Sequence, residues 1–138
     1  MKKIPTTECA LIVRTDFSDQ SAWERLTAAL REPPDPFIFN MEILDDRDND
    51  GATLEQLMGA LPEDYPHSFM VVADRIAISK ADNPMLVVDL SEERGRQFRA
   101  LAANVPSIEN NLSIANMGFE EFADSVDESG VFRGLPEV

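Results

Sequence analysis

The sequence predicts a single domain of the α/β or α+β class, built on a mixed β-sheet with elements in the order β-α-β-α-β-β-β-α-α. Three observations predict it. A chain of 138 residues, 43% hydrophobic and 28% charged, is of the size and composition that bury one core. Its first half alternates short β-forming runs with segments of helical spacing, and its last third returns to helical spacing. No internal repeat, low-complexity tract or linker divides it, so residues 1–138 are expected to fold together, with disorder confined to 1–6 and 135–138.

The elements follow in order. "CALIVRTDF" is a run of β-formers, and "SDQSAWERLTAALREPP" places Trp23, Leu26, Ala29 and Leu30 on one helical face behind Ser18 as the expected N-cap. Pro33 and Pro34 stop that helix. "FIFNMEIL" then alternates, with Phe37, Phe39, Met41 and Ile43 on one side of a second strand. In "TLEQLMGAL", Thr53 and Gln56 have the spacing of a capping box, Leu54, Leu57, Met58 and Leu61 make an apolar stripe, and Pro62 ends it. "FMVVADRIAIS", "MLVVDL" and "RQFRAL", separated by the turn-like "KADNP" and "SEERG", read as a meander of three strands. Two short helices close the chain: Ile108, Leu112 and Ala115 mark the first, and Phe119, Phe122, Ala123 and Val126 mark the second.

A formal net charge of −14 repels phosphate backbones and anionic lipid headgroups, so nucleic acid and membrane are not expected partners. A basic protein is. The single cysteine, Cys9, has no cysteine to pair with, and the N-terminal apolar run is interrupted by Arg14 and Asp16 before it reaches the length of a leader. With no stretch long enough to span a bilayer, a reducing cytoplasm is the expected location. The sequence sets no oligomeric state.

Two groups of carboxylates invite a chemical reading. In "DDRDNDG", Asp46, Asp48, Asp50 and Gly51 stand at the first, third, fifth and sixth positions of a calcium loop. The bidentate glutamate required at the twelfth position falls on Leu57, and the eighth falls on Thr53, already assigned to a cap, so no metal site is assigned. Asp16, Asp74 and Asp89 each follow an apolar strand pattern, and parallel strands would gather them at one sheet edge, where open α/β folds bind ligands. No glycine-rich phosphate loop accompanies them, and the strand carrying Asp89 is expected to run antiparallel. The lone His67 and Cys9 make no evident nucleophile and base pair. No catalytic residue and no cofactor are assigned.

The stretch "SIENNLSIANMGFEEFAD" places asparagines among apolar positions. Asn104 or Ser107 is expected to cap the helix entered through Pro106, and Asn116 to mark its end; Asn110 and Asn111 sit where a buried amide needs a partner, either a loop backbone or a ligand. With "LIVRTDFSDQSAWERL" and "LPEDYPHSFMVVADR", this stretch makes the chain resemble, over nearly its whole length, a family of small, acidic, uncharacterised bacterial proteins, largely actinobacterial. The resemblance implies no activity. The chain is also similar in style to the immunity proteins of bacterial toxin systems. The expectation is a non-catalytic, immunity-like module that binds a basic protein through Asp45, Asp46, Asp48 and Asp50 in one loop and Glu120, Glu121, Asp124, Asp127 and Glu128 near the C-terminus. The alternative is an enzyme or small-ligand or metal-binding protein using Asp16, Arg14, Asp74, Asn110 and Asn111.

Overall fold

In a computed structural model, which describes residues 3–31 and 40–134, six strands form one mixed sheet in the order β2-β1-β3-β4-β5-β6. The chain runs β1 (Leu11–Arg14), α1 (Gln20–Arg31), β2 (Glu42–Leu44), α2 (Leu54–Ala60), β3 (Phe69–Ala73), α3 (Arg75–Ser79), β4 (Pro84–Asp89), β5 (Gln97–Leu101), α4 (Val105–Ser113), α5 (Phe119–Ala123) and β6 (Val131–Phe132). β1 lies between β2 and β3 and is parallel to both. β3, β4 and β5 are successively antiparallel, and β6 returns parallel to β5.

Each strand sends alternate residues to opposite faces, and two separate cores result. Ile12, Val71, Val87, Phe98 and Ala100 meet Trp23, Leu26 and Leu30 of α1, Ile108 of α4 and Phe119 and Phe122 of α5 on one face. Leu11, Val13, Met70 and Val72 meet Leu57, Ala60 and Leu61 on the other. The one-residue alternation of "LIVR" and "FMVVA" is thus buried on both sides, which is why neither run alternates in polarity. Ile4 also belongs to the second core, its amide bonded to the Ala60 carbonyl at 2.8 Å, although residues 1–6 are a disordered end on the sequence reading.

Local chemistry sets the element ends. The capping box at Thr53 and Gln56 forms with both reciprocal bonds. α1 is capped by Asp19, whose carboxylate accepts from the Ala22 amide, rather than by Ser18, whose hydroxyl turns back to Asp16. Pro33, Pro34, Phe37 and Phe39 lie outside the described residues, while Met41 is buried and Ile43 packs against the same core.

"FMVVADRIAIS" is not one strand. Pairing to β1 stops at Ala73, and the Asp74 carboxylate accepts from the Ala77 amide at 3.1 Å, starting a helical turn with Ala77 and Ile78 buried. An N-cap aspartate competes with strand continuation because its side chain satisfies an amide that the sheet would otherwise take. A second departure is Ala115. It lies beyond α4, exposed and in the left-handed region at φ 56°, so the apolar spacing of Ile108, Leu112 and Ala115 describes a helix only through its first two members. Asn104 holds the N-cap position of α4 without a side-chain cap, and Pro106 occupies the first turn, where a missing amide costs nothing. The two-residue β6 is invisible to any pattern of that length.

The last elements are secured by aromatic contacts. The Phe98 and Phe119 ring centroids are 5.0 Å apart, and Phe122 lies edge-on to Phe132 at 5.2 Å. Phe122 is fully buried. Replacing it with alanine is expected to lower stability by roughly 3–5 kcal/mol, measured by chemical denaturation, because α5 and β6 lose their shared anchor.

Candidate functional site

The carboxyl ends of β1, β2 and β3 form one rim of the sheet, and β4, being antiparallel, places its own carboxyl end on the opposite rim. Asp16 and Asp74 therefore share a rim, and Asp89, paired with Phe69, stands on the other. Each has partners within the chain. Asp16 accepts from the Ser18 hydroxyl at 2.9 Å. Asp74 caps α3 and receives both terminal nitrogens of Arg99, at 3.0 and 2.7 Å. Asp89 is buried and accepts the Ser91 and Glu93 amides, which shapes the turn between β4 and β5.

Among the described residues Arg14 heads the fully buried side chains by size. Its Nε donates to the Asp16 carbonyl, Nη1 donates to Gln20 at 3.1 Å and Asp45 at 3.3 Å, and its guanidinium lies over the rings of Phe17 and Trp23. Nη2 has no hydrogen-bond partner among the described residues. Asp45 thus serves as counter-ion to Arg14, and Asp46 accepts the Asp48 amide to begin a short 3-10 turn, Arg47–Asn49. The acidic loop is folded by its own aspartates. Among the described residues no three His, Cys, Asp or Glu side chains converge as a metal ion would require.

Asn111 is a joint of the C-terminal segment. Its side-chain nitrogen donates to the Ser107 carbonyl at 2.9 Å, its side-chain oxygen accepts from Asn116 at 2.8 Å, and its carbonyl takes the Asn116 and Met117 amides. Those bonds close the end of α4 and carry Ala115 through its left-handed turn. The half-buried Asn110 makes no side-chain hydrogen bond among the described residues.

The nine C-terminal and loop carboxylates do not form one face. Asp45, Asp46, Asp48 and Asp50 follow β2 at the first rim, whereas Glu120 and Glu121 lie over the second, beside Phe69 and Asp89. Asp124 pairs with Arg96 at 3.2 Å. Asp127 is held well below the ordinary carboxylate range by the Ser129 hydroxyl first, then by Arg133 at 2.6 Å and the Val131 amide, and so it ties the approach to β6. Glu128 is exposed.

At the second rim, α4, α5 and the β4–β5 turn enclose a cleft of about 320 Å³. Its floor is apolar, from Phe69, Leu112, Met117 and Phe119, and its edge carries Glu92, Glu120 and Glu121. All three glutamates are exposed and none has an ion-pair partner among the described residues. The Glu120 carboxylate folds over Gly118, where it comes within 2.6 Å of the place a Cβ would occupy. Glu92 is the residue that sequence reading passes over. It lies in "SEERG", a turn by composition, and only the hairpin geometry brings it to Glu120 and Glu121.

A sequence profile described as a domain of unknown function (DUF6924) matches residues 9–135. No curated protein matches the chain. Among the described residues no helix is long and apolar enough to cross a membrane.

Two outcomes follow from the carboxylates at the rims. Asp74→Ala removes a helix cap and a partly buried ion pair and is expected to destabilise the fold by roughly 2–3 kcal/mol in denaturant titration. Because Asp127 has a depressed folded-state pKa, its contribution is present above the unfolded carboxylate value and is lost as pH falls through the folded one. Asp127→Ala is therefore expected to lower the thermal midpoint at pH near 7, and the gap to the parent chain to narrow as pH falls below about 4.

Proposed function

The chain belongs to the DUF6924 family, and we propose that it is a non-catalytic binding module whose cleft between α4, α5 and the β4–β5 turn takes a basic segment of a protein partner. One observation carries this reading: the unpaired carboxylates of Glu92, Glu120 and Glu121 surround an apolar floor. A lysine or arginine side chain fits that combination, since its aliphatic stem covers apolar surface while its head meets carboxylates. The other carboxylates support the partner's approach at a distance. With a net charge of −14, a basic partner is drawn in by the summed field and then selected by the cleft.

This reading keeps the module in a bacterial cytoplasm, where the unpaired Cys9 stays reduced. Its immunity-like form has a basic toxin domain as the partner. The internal partners of Asp16, Asp74 and Asp89 favour binding over catalysis, because each of these carboxylates has a place in the scaffold.

The triple charge reversal Glu92→Lys, Glu120→Lys and Glu121→Lys changes only exposed positions and is expected to leave the fold intact by circular dichroism. Immobilised parent protein is expected to retain a basic protein from extracts of cells that express it, with retention falling as salt rises, and the reversed variant to lose that protein. Equal retention by the two proteins would refute the assignment of the cleft.

A further inference from the structure

A second cleft of about 320 Å³ adjoins the first across Phe69 and Leu112, and it contains a carboxylate with no compensating charge. Glu109 of α4 is 4% exposed. Its single hydrogen bond comes from the Ser113 hydroxyl one turn later, and no lysine or arginine pairs with it among the described residues. A carboxylate withdrawn from water is stabilised chiefly by a cation within reach, and here the described residues supply none.

The rest of the cleft continues the same chemistry. Cys9 and Asn40 precede β1 and β2, His67 and Ser68 precede β3, and among the described residues no basic side chain other than His67 lines the walls. Glu8 adds a second, exposed carboxylate at the edge. The orientation of the polar walls is fixed from outside. The His67 Nε2 is bonded to the Thr7 carbonyl at 2.8 Å, so that nitrogen carries the hydrogen, and its ring packs edge-on against Tyr65, whose phenol burial pushes above its ordinary value. Cys9 Sγ donates to Asn40 Oδ1 at 3.4 Å. These contacts commit the His67 Nε2 hydrogen and the Cys9 thiol hydrogen and leave the Asn40 amide nitrogen and the Ser68 hydroxyl as donors, so the preference for a cation comes from the carboxylates of Glu109 and Glu8. A metal ion is a poor match, because no three ligating side chains converge among the described residues. A volume of this size accommodates a small organic molecule.

We infer that this cleft binds a small molecule carrying a primary ammonium or guanidinium group, with Glu109 as its counter-ion. The ammonium takes the place that an internal lysine or arginine would hold in a self-sufficient core. The hydroxyl oxygens of Ser113 and Ser68 are the available acceptors for its remaining hydrogens. This site is independent of the basic-partner reading, since Glu92, Glu120 and Glu121 do not line it.

Titration calorimetry with n-butylamine, methylguanidine, n-butanol and butyrate tests the inference. Saturable heat is expected from the two cations and none from the neutral or anionic probe. Glu109→Gln is expected to weaken the cations at least roughly tenfold, with its fold checked by circular dichroism. Ser113→Lys provides the second variant, tolerated at an exposed helical position and placed one turn from Glu109, where its own ammonium satisfies the carboxylate. It is expected to abolish cation binding and raise the thermal midpoint. Binding by Ser113→Lys equal to that of the parent, equal heats from n-butanol, or no saturable heat from either cation overturns the inference.

Discussion

The architecture depends on the reversal of the chain at Asp74. Up to Ala73 the strands are parallel and separated by helices; β3, β4 and β5 then run antiparallel to one another, and β6 returns parallel to β5. The carboxylate of Asp74 starts the short helix that turns the chain, and Arg99, arriving two strands later, clamps that carboxylate through both terminal nitrogens and also donates to the Pro84 carbonyl. One bidentate pair therefore joins the end of β3, the start of β4 and the middle of β5. Because β4 runs backward, the β4–β5 turn is delivered to the rim where β3 begins. That delivery forms one wall of the cleft that carries Glu92.

The parallel half of the fold was legible in the sequence because its signals are local. Thr53 and Gln56 form a capping box within four residues, Trp23, Leu26 and Leu30 show their face by spacing, and "LIVR" is apolar enough to be read as a strand buried on both sides. Where reading fails, a second interaction of short range competes. Asp74 interrupts an apolar run that composition alone extends to Ser79, and Asn111 closes α4 early enough to push Ala115 out of its apolar series. A left-handed alanine costs about 1–2 kcal/mol relative to glycine, and four bonds centred on Asn111 offset it. β6 depends on Phe132 finding Phe122, a contact no pattern of neighbours encodes.

The candidate site was less legible for a different reason. Carboxylates are conspicuous in a sequence, but their availability is decided by what lies beside them in space. Asp45 is committed to Arg14, Asp124 to Arg96 and Asp127 to Arg133, whereas Glu92 and Glu109 are distinguished by lacking a cation among the described residues. An excess of acidic residues over basic ones makes such unpaired positions inevitable, and burial decides which of them are energetically consequential. Glu109 is the informative one because it is both unpaired and inside.

The strand that closes the sheet has a further consequence. β6 is only two residues long, and glycines on either side of it, Gly130 and Gly134, hold φ of 80° and 115°. Backbone of that hand leaves extended conformation at once, so the described part of this edge offers an incoming strand only the two residues of β6 to copy. Recruitment by strand addition is closed there, and so is the edge-to-edge association that begins many fibres. A visitor arriving from that side has to be recognised through side chains.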